Sequence, residues 1–363
     1  MKKIVICSLV LLAFYKPAYS AEALKTTTIA TGLGVPWGMA ILPNNSMLIS
    51  QREAILSLLN LSTGSLTNIS GLPQIKVTGQ GGLFDVALPP DYAQSHWIYF
   101  TYSKDVNGLA ATTLARAKLH NDSLTDWQDL LVTKSRTKTN YHFGGRITFD
   151  NQNHVFVSVG ERGFRPNAQD LTTHAGSILR LNLDGSVPSD NPFVRQKNVL
   201  PEIWSYGHRN PQGLFFNKET KQLWEIEHGP RGGDEINLIE AGKNYGWPII
   251  SYGMEYYSDN AVGEGTKRVG MEPPIKTYVP SIAPSSIIQY TGNAIPEWHH
   301  NLLAGALKLQ HLNRIELDKD NHAVTESRVL RNVKGRIRNV IESPEGWLYI
   351  STDDGRILKI QAK

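Results

Sequence analysis

One pattern recurs six times along this chain and leaves few folds open to it: an apolar strand, a polar turn rich in Pro, Asp, Asn or Gly, a second apolar and aromatic strand, and a further strand. The unit runs from Trp37 to Ser50, Leu83 to Thr101, Arg146 to Val159, Gly213 to Ile226, less cleanly Ser285 to Glu316, and Val340 to Thr352. Such a meander cannot bury both faces alone, and radial stacking around an axis completes its core. The expected fold is therefore all-β, a six-bladed β-propeller. Units start roughly 45 to 70 residues apart, more than the roughly 40 to 50 of a repeat blade, so the excess length sits in loops that build a binding face. The β-branched segment Thr26–Ala30 is expected to pair with the last unit and close the ring. The alternative is a two-sheet sandwich with irregular loops, which repetition supports less.

Residues 1–20 read as an export signal. Lys2 and Lys3 precede an apolar run from Ile4 to Phe14, and Ala18-Tyr19-Ser20 before Ala21 is a small-residue cleavage site. The run is too short to anchor the chain across a bilayer. The mature chain, residues 21–363, is then a single propeller domain in the periplasm. Loss of Lys2, Lys3 and Lys16 takes the formal net charge from +4 to +1, which gives no reason to expect nucleic acid or an anionic membrane as partner. The single cysteine, Cys7, falls inside the signal, so the mature chain has neither disulfide nor thiolate metal site.

Between the strands lie runs too polar and glycine-rich for ordinary turns: Gly79–Gly82, Tyr141–Arg146, Gly207–Gly213, Glu227–Asn237, Leu307-Lys308 and Gly335–Arg338. Each falls at a blade start or strand end, where a propeller points it toward one end of its central channel. Arg209, Lys308, Arg336 and Arg338 would bring four cations to one cavity, which suits a ligand with several carboxylates. Taken singly, each reads equally well as a solvated surface charge. The glycines allow backbone to approach a flat ligand. In Gly229–Glu235, adjacent carboxylates and free carbonyls suit calcium rather than zinc, with an acidic turn as the equal alternative. His142 is suited to take a proton near neutral pH, although a lone histidine is more often a packed one. No nucleophile elbow, zinc-protease pair or phosphate loop competes with it.

Gly79–Leu83, His142–Arg146, Arg209–Gly213, the stretch from His228 to Asn237, Asn244–Pro248 and Arg336–Arg338 resemble, in order and over essentially the whole mature chain, the signature runs of the soluble glucose/sorbosone dehydrogenase family. The resemblance is nearest to its periplasmic aldose sugar dehydrogenase branch. It implies a six-bladed propeller that binds pyrroloquinoline quinone (PQQ) at the channel mouth and oxidises aldose sugars of broad range. It further implies that His142 takes the proton of the sugar's C1 hydroxyl as hydride passes to the quinone carbon. Arg209 would stabilise the oxyanion developing on the cofactor. Gln80, Asn210, Lys308, Arg336 and Arg338 would hold the cofactor with them. Calcium would lie on the carbonyls of Gly229 and Pro230, with Asp234 and Glu235 around it, polarising the quinone. The glucose-specific branch has an acidic residue before its histidine where this chain has Tyr141, and Glu161 is the candidate for orienting the ring instead. The resemblance implies an external electron acceptor (quinone, cytochrome or dye), and a monomer, since the length of the larger members is missing. Two rival readings remain, a calcium-dependent propeller lactonase working through a metal-bound water and a propeller that only binds a ligand.

Overall fold

The computed structural model describes residues 24–363. The export signal expected over residues 1–20, and Cys7 within it, lie outside the described residues. Strand β1 (Leu24–Ala30) is followed by β2 (Pro36–Leu42), β3 (Ser46–Gln51), β4 (Ile55–Asn60) and β5 (Leu66–Ile69), which form blade one. Blade two comprises β6 (Leu83–Ala87), β7 (Trp97–Val106), β8 (Leu109–His120) and β9 (Ser123–Val132), and blade three β10 (Ile147–Phe149), β11 (His154–Val159), β12 (Ser177–Asn182) and β13 (Ile203–Tyr206). Blade four holds β14 (Pro211–Asn217), β15 (Gln222–Glu227), β16 (Asp234–Ile239) and β17 (Lys276–Tyr278); blade five holds β18 (Pro284–Gln289), β19 (Leu302–Ala306), β20 (His311–Leu317) and β21 (Ala323–Val329). Blade six combines β22 (Ile337–Glu342), β23 (Leu348–Thr352) and β24 (Arg356–Ala362) with β1 on its outer edge. The expected closure is present: β1 runs antiparallel to β24, with Thr26 opposite Ile360.

Each blade is a four-stranded antiparallel sheet, and the inner strands β2, β6, β10, β14, β18 and β22 pack around the ring in sequence until β22 meets β2. The core is divided accordingly. One apolar cluster joins blades one and two through Leu48, Leu83 and Phe100; others join two and three through Tyr99, Ile147 and Val155, and three and four through Phe156, Ile178 and Leu214. Trp224, Ile287 and Ala304 bind four to five, Tyr290, Leu312 and Ile350 bind five to six, and Met47, Ile49 and Ile357 bind six to one. With about 1.5–3 kcal/mol for each fully buried aliphatic side chain, every interface adds to the stability of two blades at once.

Five of the six inner strands begin with a register shift, at Pro36/Gly38, Leu83/Val86, Pro211/Gly213, Pro284/Ser286 and Ile337/Asn339. Such bulges bend the strand and re-aim its first side chains. The runs Gly79–Gly82, Gly207–Gly213 and Gly335–Arg338 lie at three of these entries, Tyr141–Arg146 precedes β10, and Glu227–Asn237 and Leu307-Lys308 occupy the β15–β16 and β19–β20 turns.

Candidate active site

At one end of the channel, a cavity of about 560 Å³ is lined by Gln80, His142, Arg209, His228, Gly229, Pro230, Asp234, Tyr256 and Lys308, among others. An adjoining chamber of about 140 Å³ shares Gln80 and His228 and adds Asn210, Arg52, Arg336 and Arg338. Residues from all six blades or their loops therefore converge there. The chamber's aromatic wall is a stack in which Phe84 lies 5.5 Å from Trp37 and 5.4 Å from Phe143. Gly145 makes this stack possible. Its φ of +101° is costly for other residues, and a Cβ there would come within 2.9 Å of the Phe84 ring.

His142 is held in three ways. Its backbone sits in the left-handed region at φ 57°, and its N–H donates to Gln80 Oε1 at 2.9 Å. Its Nδ1 lies 2.7 Å from Oε2 of Glu161, an almost fully buried side chain whose same oxygen accepts the Gly163 N–H at 2.7 Å. With Nδ1–H donating to the carboxylate, Nε2 is the bare nitrogen. Burial lowers the ring's pKa below 6.5 in spite of Glu161, and the charge of Arg209 adds to the effect, so the imidazole is neutral near pH 7. A neutral ring with a carboxylate behind it and one free nitrogen can accept a proton.

Arg209 is fixed from both ends. Its backbone N–H and that of Asn210 donate to the same Glu227 oxygen, at 2.5 and 3.1 Å. Its Nη1 donates to the carbonyls of His228 and Gly229 at 3.0 and 2.8 Å, and Nη2 to the Tyr256 hydroxyl at 3.2 Å, while Trp247 lies 5.2 Å beneath the guanidinium. Its Nε is buried without a partner. Asn210 Oδ1 accepts the Gly144 N–H and the Gln212 amide, at 3.3 and 3.1 Å. His228 donates to the Pro284 carbonyl at 2.6 Å, and burial holds its pKa down to about 3, so it stays neutral.

The four cations expected in this cavity are not four free charges. Asp353 accepts Arg336 Nε at 2.8 Å and Arg338 Nε and Nη2 at 2.7 and 2.9 Å, which leaves the pair a net single positive charge. Burial would raise the Asp353 carboxyl, but the two arginines hold it below the ordinary carboxylate range. Arg52, which no sequence signal distinguished, faces the same chamber.

The metal residues expected from the sequence divide. Gly229 and Pro230 line the cavity with Asp234. Asp234 is already committed: Oδ1 accepts Gly229 N–H and the Ser281 hydroxyl, both at 2.9 Å, and Oδ2 accepts the N–H groups of Ile282 and Ala283, both at 2.8 Å. It fixes the loop that carries the carbonyls. Glu235 is not among the residues lining that cavity; it lines a small adjoining void that shares Gly229 with the cavity. Asp234 and Glu235 open strand β16, and successive side chains of a strand face opposite sides, so Glu235 turns toward Glu227, Tyr245 and Trp247.

Tyr256 escaped the sequence reading because the long loop that joins β16 to β17 within blade four has no strand period. The one available signal was a Tyr-Tyr pair in a polar segment. The loop is clasped by a bidentate Arg165–Glu255 pair at 2.6 and 2.7 Å.

A ring of six blades with a carboxylate-braced histidine and an anchored arginine at one channel mouth is the architecture of a propeller oxidoreductase. The chain belongs to the Glucose / Sorbosone dehydrogenase family, whose profile matches residues 33–359. It is 40% identical over 337 residues to an aldose sugar dehydrogenase of Escherichia coli (strain K12), covering 90% of each chain. The fold superposes on the crystal structure of a soluble aldose sugar dehydrogenase from Escherichia coli in the apo-form with a TM-score of 0.90 at 38% identity, covering 94% of this chain and 100% of that one. It also matches the PQQ-bound form of an aldose sugar dehydrogenase from Streptomyces coelicolor, with a TM-score of 0.78 at 29% identity over 94% and 98% of the two chains.

Proposed function

We propose that this chain oxidises the C1 hydroxyl of aldose sugars to the lactone with PQQ as the resident electron acceptor and calcium beside it. The observation that carries the reading is the His142–Glu161 pair, 2.7 Å apart, opening onto the cavity that Arg209 lines. The residues fit such a cofactor: Arg209 keeps a buried Nε without a partner, the chamber is walled by aromatic rings, and Lys308, Arg52 and the Asp353-bridged arginines supply positive charge for carboxylates.

When bound, the quinone supplies the two-electron acceptor that no side chain here provides. His142 takes the C1 hydroxyl proton on Nε2, and Glu161 holds the ring in the required tautomer and stabilises its protonated form. Arg209, anchored through Glu227 and the His228 and Gly229 carbonyls, presents fixed positive charge where negative charge develops. Gln80 couples this machinery to the cofactor wall, since its side chain accepts the His142 N–H. Gln80, Asn210, Lys308, Arg336 and Arg338 hold the cofactor. An oxygen-only set fits calcium, and Gly229 and Pro230, which line the cavity with Asp234, would offer their backbone carbonyls to it.

The proposed mature unit is residues 21–363, acting as a monomer in the periplasm and passing electrons to an external acceptor. No helix among the described residues is long and apolar enough to cross a membrane. Mixing the purified protein with PQQ, calcium and glucose tests the reading. Calcium-dependent bleaching of the oxidised cofactor with concurrent dye reduction supports it, and a protein that binds no PQQ overturns it.

A further inference from the structure

We propose that His208, Glu225, Glu227 and Asn237 form a buried binding site for one divalent transition ion, zinc by the character of its donors, behind the loop that carries Arg209. Glu225 and Glu227 stand two apart on β15 and so face the same side of the blade, with Asn237 paired opposite Glu225. Donor atoms of His208, Glu225 and Glu227 lie within 4.8 Å of one another, close enough for one ion to reach all three. His208, Glu225 and Asn237 are each 0% exposed.

What the cluster lacks is hydrogen. His208 Nδ1, Glu225 Oε1 and Asn237 Oδ1 are all buried without a partner. Asn237 Nδ2 donates to Glu225 Oε2 at 3.0 Å, and His208 Nε2 meets the Ser205 hydroxyl at 2.9 Å, so the other polar atom of each group is the orphaned one. His208 Nδ1 and Glu227 Oε1 stand 3.5 Å apart, at the limit of a hydrogen bond. Buried polar atoms left without partners in this way are costly to the fold, and an ion that takes their lone pairs relieves them.

Charge points the same way. Two carboxylates buried side by side cannot both stay ionised without a compensating cation. No basic side chain pairs with Glu225 among the described residues, and its one hydrogen bond comes from Asn237. Glu235, opposite Glu227 on β16, adds a third carboxylate to the group, so a doubly charged ion offsets two of the three charges. A proton is the competing occupant, since burial and the charge of Glu227 push the Glu225 carboxyl well above its ordinary range.

The donor set selects among metals. Calcium and magnesium take all-oxygen sets, whereas this one includes an imidazole nitrogen. One imidazole, two carboxylates and an amide oxygen make a four-donor mixed set that suits zinc. The other Glu227 oxygen receives the Arg209 and Asn210 N–H groups, so an ion here would brace the carboxylate that positions them.

The test needs neither cofactor nor sugar. The full-length protein is stripped with a chelator, incubated with zinc chloride alone, freed of excess by gel filtration and analysed by mass spectrometry for metal. Wild type should retain one zinc per chain and Glu225→Gln none, with the thermal midpoint raised by zinc in wild type only. Should Glu225→Gln fail to fold, anomalous diffraction at the zinc edge on wild-type crystals decides: a peak among the four donors supports the site. Zinc-free wild type, retention by folded Glu225→Gln, or a zinc-soaked crystal without that peak overturns it and leaves a proton on Glu225.

Discussion

Nδ1 of His142 and Oε2 of Glu161 are 2.7 Å apart, although the two residues belong to different loops, one before β10 and one after β11. Because the oxygen also takes the Gly163 amide, the carboxylate cannot swing away from the ring without losing two bonds. Glu161→Gln keeps the side-chain shape but removes the charge that steadies a protonated imidazole. A fall in kcat of about 10- to 100-fold with little change in KM is expected, read from steady-state kinetics with a dye acceptor. Unchanged kcat would remove Glu161 from the mechanism.

The pH profile carries a second prediction. Burial first, and Arg209 after it, lower the His142 pKa, while Glu161 opposes both. The base works only when neutral, so kcat/KM should hold as pH falls past 6.5 and decline only through the lower folded-state value. In Glu161→Gln the opposing influence is gone and the acid limb should move lower still. A limb above 6.5 in wild type would mean that another group titrates.

Arg336 and Arg338 should differ in what they give to cofactor binding. Arg338 is nearly buried and grips Asp353 twice, whereas Arg336 is half-exposed and holds it once. Arg338→Ala frees Asp353 to face the chamber with its charge half-answered, and should weaken PQQ binding by tenfold or more, as about 1.4 kcal/mol would. Arg336→Ala should cost less. Equilibrium titration of the cofactor separates them, and equal losses would mean that Asp353 does not mediate the effect.

Deeper in the channel, Asp85 accepts Arg146 Nη1 at 3.0 Å and the Ile147 N–H at 2.9 Å, and Arg146 stacks 4.1 Å over Trp37. Arg146 also donates to the carbonyls of Gln212 and Ser285, so one guanidinium ties together blades two to five. Asp85→Asn strands that buried charge and should destabilise the fold by about 3–5 kcal/mol, seen as a lower urea midpoint at unchanged slope. A loss within experimental error would show that water reaches the channel and screens the pair.

Gly145→Ala should cost about 1–3 kcal/mol from its left-handed backbone, and more if the Phe84 ring cannot move from a methyl group 2.9 Å away. Gly108→Ala, also left-handed but facing open space, is the control. If both cost the same, the aromatic stack yields freely.

The blades were legible because each central strand pair alternates or runs apolar between turn residues, and that periodicity is local. Outer strands such as β5 and β9 were not, since they are mostly exposed and polar and read like loops. Glu161 could be proposed because it follows His142 within one blade. Glu227, Arg52 and Tyr256 act across blades or from a loop with no period, and no spacing along the chain reports such meetings. Reading Asp234-Glu235 as part of a loop hid the strand alternation that sends the two acids to opposite sides.

Blade six also decides where the first and last described strands finish. β22 leaves the channel mouth at Arg338, β23 returns to it at Thr352, and β24 departs again, so Ala362 and its partner Leu24 both finish on the face away from the cavity. A tether joined beyond Ala362 therefore starts from the face opposite the mouth. Enzyme fixed by its carboxyl terminus to a bead or an electrode would present every catalytic entrance to the solution, with nothing of the attachment in the path of sugar or oxidant.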